Sequence, residues 1–177
     1  MIPLGSTAAP FALPDVVTGQ TVTLDDIAGV RGTLVVFLCR HCPYVQHVKG
    51  ELGRIADDYV PKGIGMVGIS SNDADQYPDD SPTRLAEMVR EEGWAFPVLY
   101  DESQSVAREY SAACTPDFFV FDEHRLLRYR GQLDDSRPNS GIPVTGAALR
   151  AALDAVAVGG PVPMDQHPSI GCSIKWK

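Results

Sequence analysis

Two kinds of apolar pattern alternate along this chain. Short, nearly continuous apolar runs predict strands buried on both faces of a sheet, at residues 33–38, 64–70 and 96–101. Apolar residues spaced by three and four predict amphipathic helices between and after these strands. We place the helices from Cys42 to just before Pro61, from Ser81 to Glu92, over the segment SQSVAREYSA and over residues 145–158.

The remaining elements are two predicted antiparallel pairs of strands, of which the first alternates apolar and polar positions. Residues 7–25, with a turn at Thr18–Gln20, predict an N-terminal β-hairpin, and residues 117–122 and 126–131 predict an antiparallel pair. The order of elements predicts an α/β fold in which helices flank a central mixed sheet.

The length of 177 residues is typical of one domain. We therefore expect a single domain over residues 1–177. Its residues 1–30 form a β-hairpin extension, and residues 159–177 form a C-terminal tail that could add a last strand.

Charge and the beginning of the chain exclude several partners. The net charge of −8 argues against nucleic acid and against an anionic membrane surface. The first residues, MIPLGSTAAPFALPDV, lack the basic and apolar regions of a secretory leader, and no segment approaches the roughly 18 apolar residues of a membrane span. These observations predict a cytoplasmic protein with neither nucleic acid nor membrane as partner.

A C-x-x-C motif is the main candidate for chemistry, since Cys39 and Cys42 enclose Arg40 and His41 at a predicted strand-to-helix junction. In a reducing compartment this spacing indicates a redox pair, a zinc site or two merely buried thiols. Zinc would need two further ligands, for which Cys114, Cys172 and His41 are available, but there is no second ligand cluster. The start of a helix favours the redox interpretation because its free N–H groups and dipole stabilise a thiolate.

Pro43 indicates which cysteine begins that helix. Proline is favoured at the first helical position, where its missing N–H costs nothing. This placement makes Cys42 the N-cap, with its sulfur near the free N–H groups, whereas a helix starting at Cys39 would put Pro43 where the first hydrogen bond should form. We therefore expect Cys42 to be the nucleophile and Cys39 its disulfide partner. His41, when protonated, would favour either thiolate.

Four segments together resemble a known family. They are LGSTAAPFALPD near the start, VVFLCRHCP, GMVGISSND and CTPDFFVFD, and the resemblance that they carry extends over roughly residues 3–158. The chain resembles the thioredoxin superfamily, specifically its redoxin branch of peroxiredoxin-like (alkyl hydroperoxide reductase and thiol-specific antioxidant) and thiol-disulfide reductase relatives. The resemblance implies a thioredoxin-like fold and a cis Thr115–Pro116 bond facing the cysteine pair, with the Thr115 backbone turned toward an incoming peptide or disulfide.

The same resemblance leaves the roles of the cysteines open. In thioredoxin the first cysteine attacks, which would be Cys39, whereas peroxiredoxins carry a T-x-x-C whose cysteine corresponds to Cys42. Cys39 then stands where peroxiredoxins have threonine, a departure that argues against fast peroxide reduction. Cys114, next to Thr115, is a possible additional redox thiol, and Cys172 could be a C-terminal resolving cysteine as in some peroxiredoxins.

The function predicted from the sequence is a thiol-disulfide oxidoreductase that acts through Cys39, Cys42 and His41, with Thr115 and Pro116 in substrate binding. No metal and no organic cofactor are expected. The expected partners are a disulfide-containing protein or a small thiol or disulfide, with a thioredoxin-type reductant in addition. Two alternatives remain: a peroxiredoxin-like antioxidant peroxidase with Cys42 peroxidatic, and a non-enzymatic zinc-holding or binding module.

Overall fold

The computed structural model describes every residue from Met1 to Lys177. Its strands are β1 (Ala12–Pro14), β2 (Thr21–Thr23), β3 (Gly32–Phe37), β4 (Ile64–Ser70), β5 (Val98–Tyr100), β6 (Cys114–Thr115), β7 (Asp117–Asp122), β8 (Leu127–Gly131) and β9 (Cys172–Ser173). Its α-helices are α1 (Leu24–Ile27), α2 (Pro43–Tyr59), α3 (Pro82–Glu92), α4 (Ser105–Glu109) and α5 (Ala147–Ala157). None of these helices has both the length and the apolar character that crossing a membrane requires.

Five strands form the central sheet in the order β5-β4-β3-β7-β8. β3, β4 and β5 are parallel, whereas β7 is antiparallel to both β3 and β8. The mixed sheet with flanking helices confirms the predicted thioredoxin-like fold. The N-terminal hairpin is also present, since β1 pairs antiparallel with β2, although its strands are shorter than the alternating pattern predicted.

The apolar run of β3 is buried on both faces because the sheet separates two apolar clusters. Leu34 and Val36 belong to the larger cluster, which also holds the buried faces of α2, α3 and α5. Val35 and Phe37 belong to the smaller cluster, beneath α4 and the N-terminal segment. Fully burying each such side chain contributes about 1.5–3 kcal/mol. Packing on both faces therefore holds β3 rigidly, and this fixes the position of the residues that directly follow it.

The tail does add a short strand. β9 pairs antiparallel with β6, and the two form a small sheet separate from the central one. β6 directly precedes β7, so this pair lies at the carboxyl end of β3, where the chain passes into α2.

Candidate active site

The C-x-x-C lies between the end of β3 and the start of α2. α2 begins at Pro43, and Cys42 is its N-cap with extended backbone angles, as the sequence predicted, although the Cys42 sulfur accepts no capping hydrogen bond from the free N–H groups of the helix. Cys39 and Cys42 are both free thiols with no exposed surface. The rigid strand β3 therefore positions Cys39, and the start of the 17-residue helix α2 positions Cys42.

The surroundings of the two thiols shift their pKa values in opposite directions. Interaction with the Cys39 thiol lowers the pKa of Cys42 most, and the thiol and backbone N–H of Cys172 lower it further, while burial opposes them. The pKa of Cys39 is raised, first by its hydrogen bond to Cys42, then by burial and by the charge of Asp80. These opposite shifts favour Cys42 over Cys39 as the more acidic thiol of the pair.

Thr115 contacts both thiols from the facing loop. Its hydroxyl oxygen lies 3.3 Å from the Cys39 sulfur, and its carbonyl oxygen lies 3.3 Å from the Cys42 sulfur. The Thr115–Pro116 peptide bond is cis, as the resemblance implied. The structure therefore brings Thr115 together with the cysteine pair that the sequence singled out.

Asp80 is a member of the site that the sequence did not reveal. Its carboxylate has no exposed surface, yet it lies against the C-x-x-C loop. Oδ1 accepts the backbone N–H groups of Arg40 at 2.8 Å and of His41 at 3.0 Å. Oδ2 accepts the side-chain amide of Asn72 at 2.9 Å and also contacts His41 Nδ1. One buried carboxylate thus fixes the two residues between the cysteines.

His41 is held on two sides. Its Nδ1 pairs with Asp80, and its ring stacks on Tyr77 with centroids 5.6 Å apart and planes 13° apart. About a quarter of the His41 side chain, 26%, stays exposed. His41 therefore lies at the rim of the site, in a fixed orientation, and does not directly contact either sulfur through a hydrogen bond.

The other two cysteines differ in their relation to the pair. Cys172 lies on β9 directly opposite Thr115, and its thiol and backbone N–H both favour the Cys42 thiolate. Cys114 makes its own contacts elsewhere, 3.6 Å from the Pro116 carbonyl oxygen, and lines a separate cavity of about 410 Å³. Burial raises the pKa of Cys114 to about 12. Of the two candidate additional thiols, only Cys172 reaches Cys42.

One group of residues could hold a metal ion. Ligand atoms of Cys39, His41 and Asp80 all lie within 4.8 Å of one another. Both oxygens of Asp80 already accept two contacts each, and His41 Nδ1 is one of these partners. A metal bound here would have to displace the hydrogen bonds that shape the C-x-x-C loop.

Comparison with known proteins places this chain in a family. The chain matches the AhpC/TSA family over residues 4–130, which include both cysteines of the C-x-x-C, Asp80 and Pro116. No curated protein matches the chain.

Solved structures share the fold of this chain. An uncharacterized conserved protein from Geobacillus kaustophilus is 58% identical with a TM-score of 0.98, over 100% of this chain and 94% of that one. A hypothetical protein from Sinorhizobium meliloti 1021 is 47% identical with a TM-score of 0.97, over 100% and 96%. Peroxidoxin BcpB from Mycobacterium tuberculosis, 18% identical with a TM-score of 0.65 over 90% and 98%, shares the fold alone. The chain belongs to the AhpC/TSA family, whose thioredoxin-like fold and chemistry support thiol-based redox activity.

Proposed function

We propose that this protein is a thiol-disulfide oxidoreductase in which Cys42 is the nucleophile and Cys39 the resolving thiol. The observation that carries the proposal is the position of Cys42 at the N-cap of α2, with Cys39 in the same buried loop and Thr115 in contact with both sulfurs. Thiol-disulfide exchange needs a thiolate and a second thiol that can displace the substrate. This arrangement supplies both within one buried loop.

The exchange proceeds in two displacements. The Cys42 thiolate attacks one sulfur of a substrate disulfide; a new S–S bond forms, the substrate bond breaks, and the second substrate sulfur leaves as a thiolate that takes up a proton. Cys39 then loses its proton and attacks the Cys42 sulfur. The Cys39–Cys42 disulfide forms, and the remaining substrate sulfur is released. The substrate gains two electrons, which an external dithiol such as a thioredoxin-type reductant returns to the pair.

The surroundings of Cys42 favour exchange over peroxide reduction. Fast peroxide reduction needs donors that polarise the O–O bond near the attacking sulfur. The side chains that lower the pKa of Cys42 are the thiols of Cys39 and Cys172, and thiols are weak hydrogen-bond donors. The Thr115 hydroxyl contacts Cys39 instead. We therefore expect disulfide reduction to be efficient and peroxide turnover to be weak.

Turnover of insulin disulfides with dithiothreitol as reductant tests the proposal. We expect Cys42→Ser to reduce the rate by more than about a hundredfold. Cys39→Ser should accumulate a mixed disulfide on Cys42, because the resolving thiol is gone. Cys114→Ser is the matched control, and its rate should stay within about twofold of wild type, since its thiol lies outside the pair.

Two other results would assign a different function. Stopped-flow oxidation by hydrogen peroxide at roughly a thousand times the rate of free cysteine, or faster, would make the protein a peroxidase with Cys42 peroxidatic. About one zinc ion per chain in elemental analysis, together with no disulfide turnover, would make it a zinc-holding module.

A further inference from the structure

Cys172 and the start of β9 lie on the same side of the molecule as the cysteine pair. Cys39 and Cys42 have no exposed surface. Cys172, at the start of β9, packs against the apolar cluster that contains both of them and lies opposite Thr115 in the β6–β9 pair. A molecule approaching Cys42 from this side meets the tail before it meets the sulfur.

Gly171 allows the tail to come this close. A Cβ atom added at Gly171 would lie 2.1 Å from the carbonyl oxygen of Thr115 and 2.7 Å from its carbonyl carbon. Real Cβ atoms do not approach backbone so closely, and a backbone neighbour cannot rotate away. Only glycine therefore fits against the same Thr115 carbonyl that lies 3.3 Å from the Cys42 sulfur.

The rest of the tail is fastened mainly through its backbone. The Ile174 N–H donates to the Ala113 carbonyl at 3.4 Å, and the Lys175 carbonyl accepts the Asp73 N–H and the Gln104 side-chain amide, each at 2.9 Å. Ile174 is the one large apolar side chain of β9 and its neighbours that is buried, with 3% exposed. Main-chain hydrogen bonds with one apolar anchor are how an extended peptide adds a strand to a sheet edge.

We propose that residues 171–174 of the tail act as an internal competitor: they occupy the β6 edge beside Thr115, where the resemblance to the thioredoxin superfamily implies that an extended, cysteine-bearing substrate segment would lie. The substrate cysteine takes the position of Cys172, beside Cys42. The substrate residue directly before that cysteine is then glycine, as Gly171 is here, because a Cβ atom at this position would clash with the Thr115 carbonyl. The inference rests on the proposed function and names its substrate class: polypeptide disulfides in a Gly-Cys context.

The covering role of the tail is tested without reference to enzyme activity. Reduced full-length protein is treated with iodoacetamide at the pH where the Cys42 rate has reached its plateau, and modification of Cys42 is followed by peptide mass spectrometry. Gly171→Ala should speed the reaction at least about fivefold, since the rate scales with the fraction of molecules in which the tail is displaced. Gly160→Ala is the matched control with unchanged rate, because its Cβ would meet nothing closer than 3.6 Å.

A second variant guards against an indirect effect of the added methyl group. Ile174→Ala removes the apolar anchor of the tail without touching Thr115 or the cysteine pair, so it should also speed modification of Cys42. Circular dichroism establishes that each variant is folded before the rate is compared. Wild-type rates in both folded variants would overturn the proposal, because the tail would then not limit access to Cys42.

The substrate class is tested with two peptides in a single turnover. Ser-Ile-Gly-Cys-Ser-Ile and Ser-Ile-Val-Cys-Ser-Ile each carry a disulfide to 2-nitro-5-thiobenzoate, whose coloured thiolate leaves when Cys42 attacks the peptide sulfur. The glycine peptide should react with a second-order rate constant at least about tenfold higher than the valine peptide. Equal rates with both peptides, from protein that still reduces insulin, would overturn this inference alone. No reaction with insulin or with either peptide would overturn the proposed function and, with it, the substrate class.

Discussion

Replacing Asp80 by asparagine tests whether one buried carboxylate organises the C-x-x-C loop. The substitution keeps the shape of the side chain and removes its charge. Asp80 has no exposed surface, and its two oxygens accept hydrogen bonds from Arg40, His41 and Asn72. Asparagine has only one side-chain oxygen, so it can accept at most the hydrogen bonds that one of the two Asp80 oxygens accepts.

The expected loss can be worked out from these contacts. If the remaining oxygen keeps the two backbone N–H groups of Arg40 and His41, the new amide group faces the Asn72 amide, and two donors oppose each other. Asn72 is itself buried, with 2% exposed, so its N–H is left unsatisfied at a cost of about 1–3 kcal/mol. Loss of the contact with the His41 ring adds to this, while removal of a buried charge offsets part of it. We expect a net destabilisation of about 2–4 kcal/mol.

Urea unfolding at neutral pH of the reduced protein measures this loss. Asp79→Asn is the matched control, because the neighbouring carboxylate is 64% exposed and lies 3.8 Å from Arg84. An exposed pair of this kind contributes about 0–1 kcal/mol. If Asp80→Asn cost no more than Asp79→Asn, the role assigned to the buried carboxylate would be wrong.

Three further predictions concern other parts of the fold. Burial raises the pKa of Asp134, but hydrogen bonds, first that of the Ser136 side chain, leave this pKa lowered overall. Asp134 therefore stabilises the folded protein above the ordinary carboxyl pKa, and this stabilisation is lost as pH falls through the lowered pKa. Asp134→Asn should reduce this loss of stability in urea unfolding between about pH 5 and 2. With its pKa raised to about 12 by burial, Cys114 should react with iodoacetamide at pH 9 at least about fifty times more slowly than free cysteine, and a comparable rate would contradict this. Leu52→Ala, in the fully buried face of α2, should cost about 2–5 kcal/mol in urea unfolding, and a cost below about 1 kcal/mol would show that the site collapses around the missing side chain.

The fold and the first half of the site could be predicted because they depend on local rules. The run that became β3 is almost entirely apolar, so both of its faces had to be covered. Pro43 placed the start of α2, and hence the N-cap at Cys42, from a preference that involves adjacent residues only. The Thr115–Pro116 segment followed from resemblance to a family, which carries long-range information that spacing does not.

The second half of the site depends on contacts between distant residues. Asp80 reaches the C-x-x-C loop across about 40 positions, and nothing in the acidic loop distinguishes it from Asp79, which is exposed. The position of Cys172 depends on the path of the tail, which has no apolar periodicity and is held by backbone hydrogen bonds and by Gly171. Backbone hydrogen bonds of this kind do not depend on side-chain type, so they produce almost no recognisable pattern in the sequence.

The central claim, that Cys42 is the thiolate nucleophile, is tested most directly by the rate of iodoacetamide alkylation as a function of pH in Cys39→Ser and Cys42→Ser. The serine hydroxyl in Cys39→Ser can still donate to the Cys42 sulfur, so Cys42 should keep a titration midpoint well below the value near 8.5 of free cysteine. The Cys42→Ser protein should lose this low midpoint at Cys39. A low midpoint that persists in Cys42→Ser and disappears in Cys39→Ser would contradict the assignment and make Cys39 the nucleophile.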